Sequence, residues 1–216
     1  MSERAKAEEW LLANDVSRET IEKLADLVRF IEEENAVQNL VSGQSLSQIW
    51  TRHILDSAQL VRFVPKAGSW LDLGTGAGFP GLVAGLLHEG PVTLVEERRL
   101  RSDFLSRVVE RLDLCGHVFV AATKVQRLDE KDYDIISARA FAPLNRLLEM
   151  GLRFATPSTR WVLPKGRNAE TELAALDSSW QGAFRLEPSI TDDNASIIIA
   201  DSIHRRSKGS NKGDAR

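Results

Sequence analysis

The sequence predicts an α/β protein: an open, parallel sheet with helices on both faces and a helical extension ahead of it. Three observations lead there. From Ser69 onward short apolar runs alternate with helix-length amphipathic stretches, the pattern of strands joined by crossover helices. The first run, Trp70-Leu71-Asp72-Leu73, opens directly into Gly74-Thr75-Gly76-Ala77-Gly78, as a strand does when it turns sharply into a helix. Before Val64 apolar residues recur at three- and four-residue spacing without alternation, which is helical periodicity.

The elements follow in order. Trp10-Leu11-Leu12 opens the first apolar face. Ser17 is placed to cap a helix whose buried side is Ile21, Leu24, Leu27, Val28 and Ile31. Asn39-Leu40-Val41-Ser42-Gly43 breaks it, and residues 47–63 read as a further helical stretch carrying Trp50, His53, Ile54 and Leu60. Pro65-Lys66-Ala67-Gly68 marks the boundary, so residues 1–64 form the extension and 65–204 the sheet domain. Strands are expected at 70–73, 92–95, 118–121, 133–137 and 160–163. Helices are expected at 79–88, where Pro80 suits the first turn, at 100–114, at 144–154, and from the 164–167 loop to Leu176. Two late runs, 184–190 and 196–203, have no helix-length insert between them and read as an antiparallel addition. Residues 205–216, with Arg205, Arg206, Lys208 and Lys212, read as a basic, disordered tail.

Composition bounds the function. At 216 residues and 43% hydrophobic content the chain can build a full core. The formal charge of −3 means that nucleic-acid binding must come from local patches. The single cysteine, Cys115, permits no intramolecular disulfide, which fits a reducing cytoplasm. No apolar run reaches membrane-spanning length, and the N-terminus has no signal-peptide core. A cytoplasmic monomer is expected. The four histidines and one cysteine give no metal-ligand spacing, so no metal is expected.

The glycine loop narrows the ligand. A dinucleotide fingerprint reads G-x-G-x-x-G. Here the third glycine comes early, at Gly78, and Phe79 stands where that motif wants glycine. Asp72 lies two positions before Gly74. An acid there would repel a pyrophosphate and can pair with an ammonium group. The arrangement D-x-G-x-G-x-G resembles the cofactor loop of class I (Rossmann-like) methyltransferases that use S-adenosylmethionine. Asp72, Gly74, Gly76, Gly78 and Phe79 are therefore candidate cofactor residues.

In such sheets ligands bind beyond the carboxyl ends of the strands. Glu96 ends the second strand about 20 positions past Gly74, where a carboxylate holds a ribose diol. Glu97 should point the other way. Val125 and Gln126 follow the third strand, and the Gln126 amide can bond a base edge, although an ordinary polar loop explains it as well. Arg139 and Phe141 follow the fourth strand. Arg139 can hold a carboxylate, a phosphate or a purine O6, ahead of the alternative of a surface ion pair. Phe141 suits base stacking and core packing equally. Lys165 follows the fifth strand and can face the same cleft, with a solvated helix-entry loop nearly as good a reading. His53 and Asp56 share a helical face, and a packed histidine is favoured there over a catalytic dyad. Arg98, Arg99 and Arg101 read as a solvated helix start that can also meet RNA phosphates. Cys115 reads as an inert small residue.

Four segments together resemble one family. They are Trp50-Thr51-Arg52-His53-Ile54-Leu55-Asp56-Ser57, then Leu71 through Pro80-Gly81, then Ser137-Ala138-Arg139-Ala140, and Pro164-Lys165-Gly166. They are similar to the RsmG (GidB) family of bacterial methyltransferases of small-subunit ribosomal RNA. The resemblance runs from about Asn39 to Asn168. It implies transfer of a methyl group from S-adenosylmethionine to N7 of one guanine in 16S rRNA, with the rRNA or the small subunit as partner. It also implies that Gly74 and Phe79 line the cofactor, that Val125 and Gln126 flank its adenine, and that Arg139 closes the pocket. The family pattern implies an acid at position 126, where Gln126 keeps an acceptor without the charge.

Guanine N7 carries a lone pair and no proton, so attack on the sulfonium methyl needs no general base. Positioning can then supply roughly 7–11 kcal/mol of the acceleration. Arg139 and Lys165 are the candidate catalytic residues, holding the guanine through O6 or its phosphate after it leaves its stack. A small-molecule methyltransferase would share the loop and Glu96. A dinucleotide-linked oxidoreductase conflicts with Asp72 and Phe79. A non-enzymatic RNA-binding module would not need the loop.

Overall fold

The computed structural model describes residues 2–206. Seven strands form one sheet in the order β3-β2-β1-β4-β5-β7-β6. β1 (Trp70–Leu73), β2 (Val92–Val95), β3 (Val118–Ala121), β4 (Tyr133–Ser137) and β5 (Ala155–Gly166) run parallel. β6 (Trp180–Pro188) and β7 (Ser196–Arg205) add on antiparallel, with β7 inserted between β5 and β6. The order reverses at β1, between β2 and β4, which is where such sheets open a ligand crevice.

The strands alternate between two cores. Trp70, Leu94, Ile135, Val162 and Ile199 face one side with the N-terminal helices, while Leu71, Leu73, Ile136, Trp161 and Ile198 face the other. Each strand is thus apolar on both faces, as a covered parallel sheet requires. The first face is covered by α1 (Glu3–Ala13), α2 (Arg18–Asn35), α5 (Gly81–Leu87) and α6 (Arg99–Arg111). The second is covered by α7 (Leu144–Gly151) and by Ala169 of α8 (Ala169–Ala174). Ser17 caps α2 by accepting from the Thr20 N–H at 3.1 Å, and Leu24, Leu27 and Ile31 beneath it are wholly buried.

Two details go beyond the expectations. The helical stretch 47–63 is not a regular α-helix. After the short α3 (Gly43–Leu46) the chain forms a π-helical turn, Trp50–Leu55, then α4 (Asp56–Ala58) and a 3₁₀ stretch, Gln59–Phe63. The Thr51 N–H, at the start of this turn, donates to Glu3 Oε1 at 2.7 Å, which ties α1 to the π turn. The last strand also runs past the expected 196–203. His204 and Arg205 belong to β7, and Arg205 lies 4.6 Å from the Trp180 ring centroid and pairs with Glu149. The rest of the expected tail, 207–216, lies outside the described residues. Among the described residues no helix is long and apolar enough to cross a membrane.

Candidate active site

The β1–α5 loop is fixed from below. Asp72 is completely buried. Its carboxylate accepts from Ser137 Oγ at 2.7 Å and from the Gly81 N–H at 2.9 Å, while Ser137 Oγ in turn accepts from Trp70 Nε1 at 2.8 Å. Burial pushes the Asp72 pKa up, against the opposing pull of these hydrogen bonds. Asp72 therefore joins β1, β4 and the start of α5. Pairing with a cofactor ammonium is not what this placement provides, because the carboxylate lies inside the core. Gly74 and Gly76 take left-handed φ values of +67° and +61°, which glycine adopts without steric cost. Gly78 is a packing position: a Cβ there would stand 2.3 Å from Leu82 Cδ1. Phe79 is also turned inward and stacks on His53 with ring centroids 4.7 Å apart.

Above the loop lies a cavity of about 510 Å³. Gly74, Glu96, Val125, Gln126, Phe141 and Met150 line it. Glu96 accepts the Gly76 N–H at 3.1 Å on Oε2 and the Arg98 N–H at 2.7 Å on Oε1. Each carboxylate oxygen keeps a lone pair for a further donor, so the group can still accept from a diol. Glu97 lines the same cavity rather than pointing away, 4.0 Å from Lys124. Gln126 is exposed and donates to Met150 Sδ at 3.4 Å.

A second cavity, of about 1020 Å³, adjoins it and contains both residues expected to carry the chemistry. Arg139 reaches across to the helical extension. Its Nη1 donates to the Arg52 carbonyl at 2.9 Å and to Asp56 Oδ2 at 3.3 Å, and Nη2 donates to His53 Nδ1 at 2.6 Å. Three of its five N–H groups are thereby engaged, leaving two for a ligand. Lys165 is tied more fully. Its Nζ donates to the Ala142 carbonyl at 2.8 Å and pairs with Glu172 at 2.9 Å, and its side chain is 7% exposed. Glu172 also accepts from the Leu144 N–H at 2.7 Å, at the start of α7. Lys165 therefore braces the 139–143 loop and is not placed to grip a substrate.

The two cavities share Ala140, which lines both and has φ of +50°. Arg139 faces the larger cavity and Phe141 the smaller one, so this short stretch is the partition. Sequence reasoning missed several residues around it. Thr191, in the β6–β7 turn, donates to Asp56 Oδ1 at 3.1 Å, and Ser45 Oγ meets His53 Nε2. Gln59 joins Asp56 to Ser189, with bonds of 3.0 and 3.1 Å. The polar run Thr191-Asp192-Asp193-Asn194 was the available signal for that turn.

With this geometry, comparison with known proteins decides the family. The sequence model of GidB, described as rRNA small subunit methyltransferase G, matches residues 20–192. A relative from Rhizorhabdus wittichii, named ribosomal RNA small subunit methyltransferase G, is 50% identical over 90% of this chain and 91% of its own. One of the same name from Zymomonas mobilis is 41% identical over 91% and 92%. This chain belongs to the GidB family. As a GidB member it is a methyltransferase, and its cofactor is S-adenosylmethionine. The fold agrees. An O-methyltransferase from Bacillus cereus, solved with S-adenosylhomocysteine, superposes with a TM-score of 0.56 over 82% of this chain and 90% of that one, at 16% identity.

The smaller cavity fits that cofactor. Glu96 offers acceptors for a ribose diol, and Val125, Phe141 and Met150 offer apolar surface for an adenine. Gly74 makes room in a specific way: a Cβ there would sit 2.3 Å from Phe141 Cδ2 and displace that ring.

Proposed function

We propose that this chain methylates N7 of one guanine in 16S ribosomal RNA. The bound cofactor supplies the methyl group on a sulfonium centre. The residues that would hold it are Glu96, the Gly74–Gly76 backbone, Val125, Gln126 and Phe141. The target base, flipped from its stack, would enter the larger cavity, which shares Ala140 with the cavity fitted to the cofactor. Arg139 orients the base through O6 with its remaining N–H groups, as a strong donor to a purine carbonyl. Lys165 positions the 139–143 loop by bonding Ala142 and Glu172.

One observation carries this reading. Among the described residues, neither of the titratable side chains that touch Arg139 is a free general base. The His53 lone pair is taken by Arg139, and burial together with Arg139 and Arg52 lowers its pKa to about 3. Asp56 is shared among Arg139, Gln59 and Thr191. An arginine whose titratable neighbours are both engaged suits an acceptor that has no proton to lose, and N7 is such an acceptor.

The test is methyl transfer from labelled S-adenosylmethionine to small subunits and to free 16S rRNA, both lacking the modification, followed by digestion to nucleosides. Label in 7-methylguanosine supports the proposal and identifies the form of substrate used. Label in another nucleoside, or none despite cofactor binding, refutes it.

A further inference from the structure

The two cavities differ in charge. In the larger one four cations meet four carboxylates, and Arg139, Lys165 and Arg167 each have a carboxylate partner in Asp56, Glu172 and Asp192. The smaller one is lined by four cations, Arg98, Arg101, Lys124 and Arg146, against only Glu96 and Glu97. Of the four, only Lys124 has a carboxylate within 4 Å among the described residues, Glu97 at 4.0 Å. The cofactor carries two positive groups and one negative group. It cannot neutralise this excess, and Coulomb repulsion makes the cations an unfavourable lining for it.

The cations are placed at the rim instead. Arg98, Lys124 and Arg146 are exposed and stand on three different elements: the entry to α6, the loop after β3, and α7. Arg99 beside them is 92% exposed, with only a loose 3.7 Å pair to Asp103. Such a group of exposed cations, in excess over the carboxylates beside them, fits a polyanion laid across the mouth.

We infer that Arg98, Lys124 and Arg146 bind the sugar-phosphate backbone of the RNA, so that it crosses the mouth of the cofactor cavity while its target base turns into the charge-balanced larger cavity. This rests on the function proposed above and adds an orientation to it. Base and backbone then lie on opposite sides of Ala140. The RNA covers the cofactor, so the cofactor binds first and its product leaves last.

The experiment compares wild-type protein with Arg98→Gln, Lys124→Gln, Arg146→Gln and the triple variant. Affinity for small subunits is measured as a function of salt, and S-adenosylhomocysteine affinity is measured on the free protein. These side chains are exposed, and a thermal unfolding curve confirms folding for each. Each single variant is expected to lower the slope of log affinity against log salt by about 0.7–0.9. The triple variant is expected to lose on the order of tenfold or more in subunit affinity at low salt, with S-adenosylhomocysteine affinity unchanged within about twofold. Unchanged slopes overturn the inference. So does a large loss of S-adenosylhomocysteine affinity with subunit binding intact, which would assign the cations to the cofactor. Wild-type protein that binds subunits with a slope the variants reduce, yet transfers no methyl group, would support the rim and refute the functional proposal.

Discussion

Arg139 donates from Nη2 to Nδ1 of His53 across 2.6 Å, and this bond dictates the charge of both partners. A guanidinium cannot accept a hydrogen bond, so Nδ1 must present its lone pair and His53 must be neutral, with its proton on Nε2 toward Ser45. Burial alone disfavours the charged ring, and Arg139 and Arg52 add repulsion, which together hold the pKa near 3.

A pH dependence of stability follows. Below the unfolded value of 6.5 the unfolded chain protonates His53, while the folded chain does not until about 3. The unfolded state then binds more protons, so stability falls as pH falls through this window, by up to about 1.4 kcal/mol per unit. Urea unfolding across the window should show a shallower fall for His53→Asn, which can still accept from Arg139. Equal slopes for the two proteins would contradict the assignment.

The buried chain from Trp70 through Ser137 to Asp72 predicts a core effect away from the cavities. Ser137→Ala leaves the Trp70 N–H without its acceptor and Asp72 without one donor. Each such loss costs about 1–3 kcal/mol. The denaturation midpoint should drop accordingly with no change in slope, and a change under about 0.5 kcal/mol would contradict the network.

Glu172 and Lys165 act through the loop they brace. Glu172→Gln keeps an acceptor for the Leu144 N–H but loses the ion pair with a nearly buried ammonium. A destabilisation of about 1–3 kcal/mol is expected. The turnover number should fall while cofactor affinity stays within a fewfold. A loss confined to cofactor binding would place Lys165 in a different role.

Gly74→Ala should injure the cofactor cavity directly. The new methyl group meets the Phe141 ring at 2.3 Å on a backbone of φ +67°, and left-handed backbone costs roughly 1–2 kcal/mol for a residue with a Cβ. Cofactor affinity should fall about tenfold or more. Gly43→Ala, with no neighbour within 4 Å of its Cβ, is the matched control and should bind normally.

Much of this architecture was legible in the sequence, for physical reasons. The first four strands are short apolar runs bounded by glycine, proline or charge, and they appear where that pattern puts them. β5 starts earlier than its apolar run because Thr156 and Thr159 are polar, and it is held by the Thr159 hydroxyl donating to the Tyr133 carbonyl at 2.6 Å. The π turn was invisible, since Trp50, His53 and Ile54 have the same apolar spacing in an α-helix. At the site, the sequence showed that acids and cations end the strands but not which group neutralises which. Asp72 looked like a ligand contact and is sealed by Ser137 and Gly81, 65 and 9 residues away. Lys165 looked free and is held by Glu172, seven residues on. The partners of Arg139 come from a helical segment more than 80 residues earlier, a proximity only the fold creates.

The most direct measurement is the single-turnover rate of 7-methylguanosine formation on small subunits between about pH 6 and pH 8, with saturating S-adenosylmethionine. Attack by N7 without a general base predicts a rate that is flat across this range, because His53 titrates near 3 and no proton is removed. A rate that rises tenfold per pH unit would mean that a proton leaves before transfer, and would contradict both the acceptor atom and the role given to Arg139.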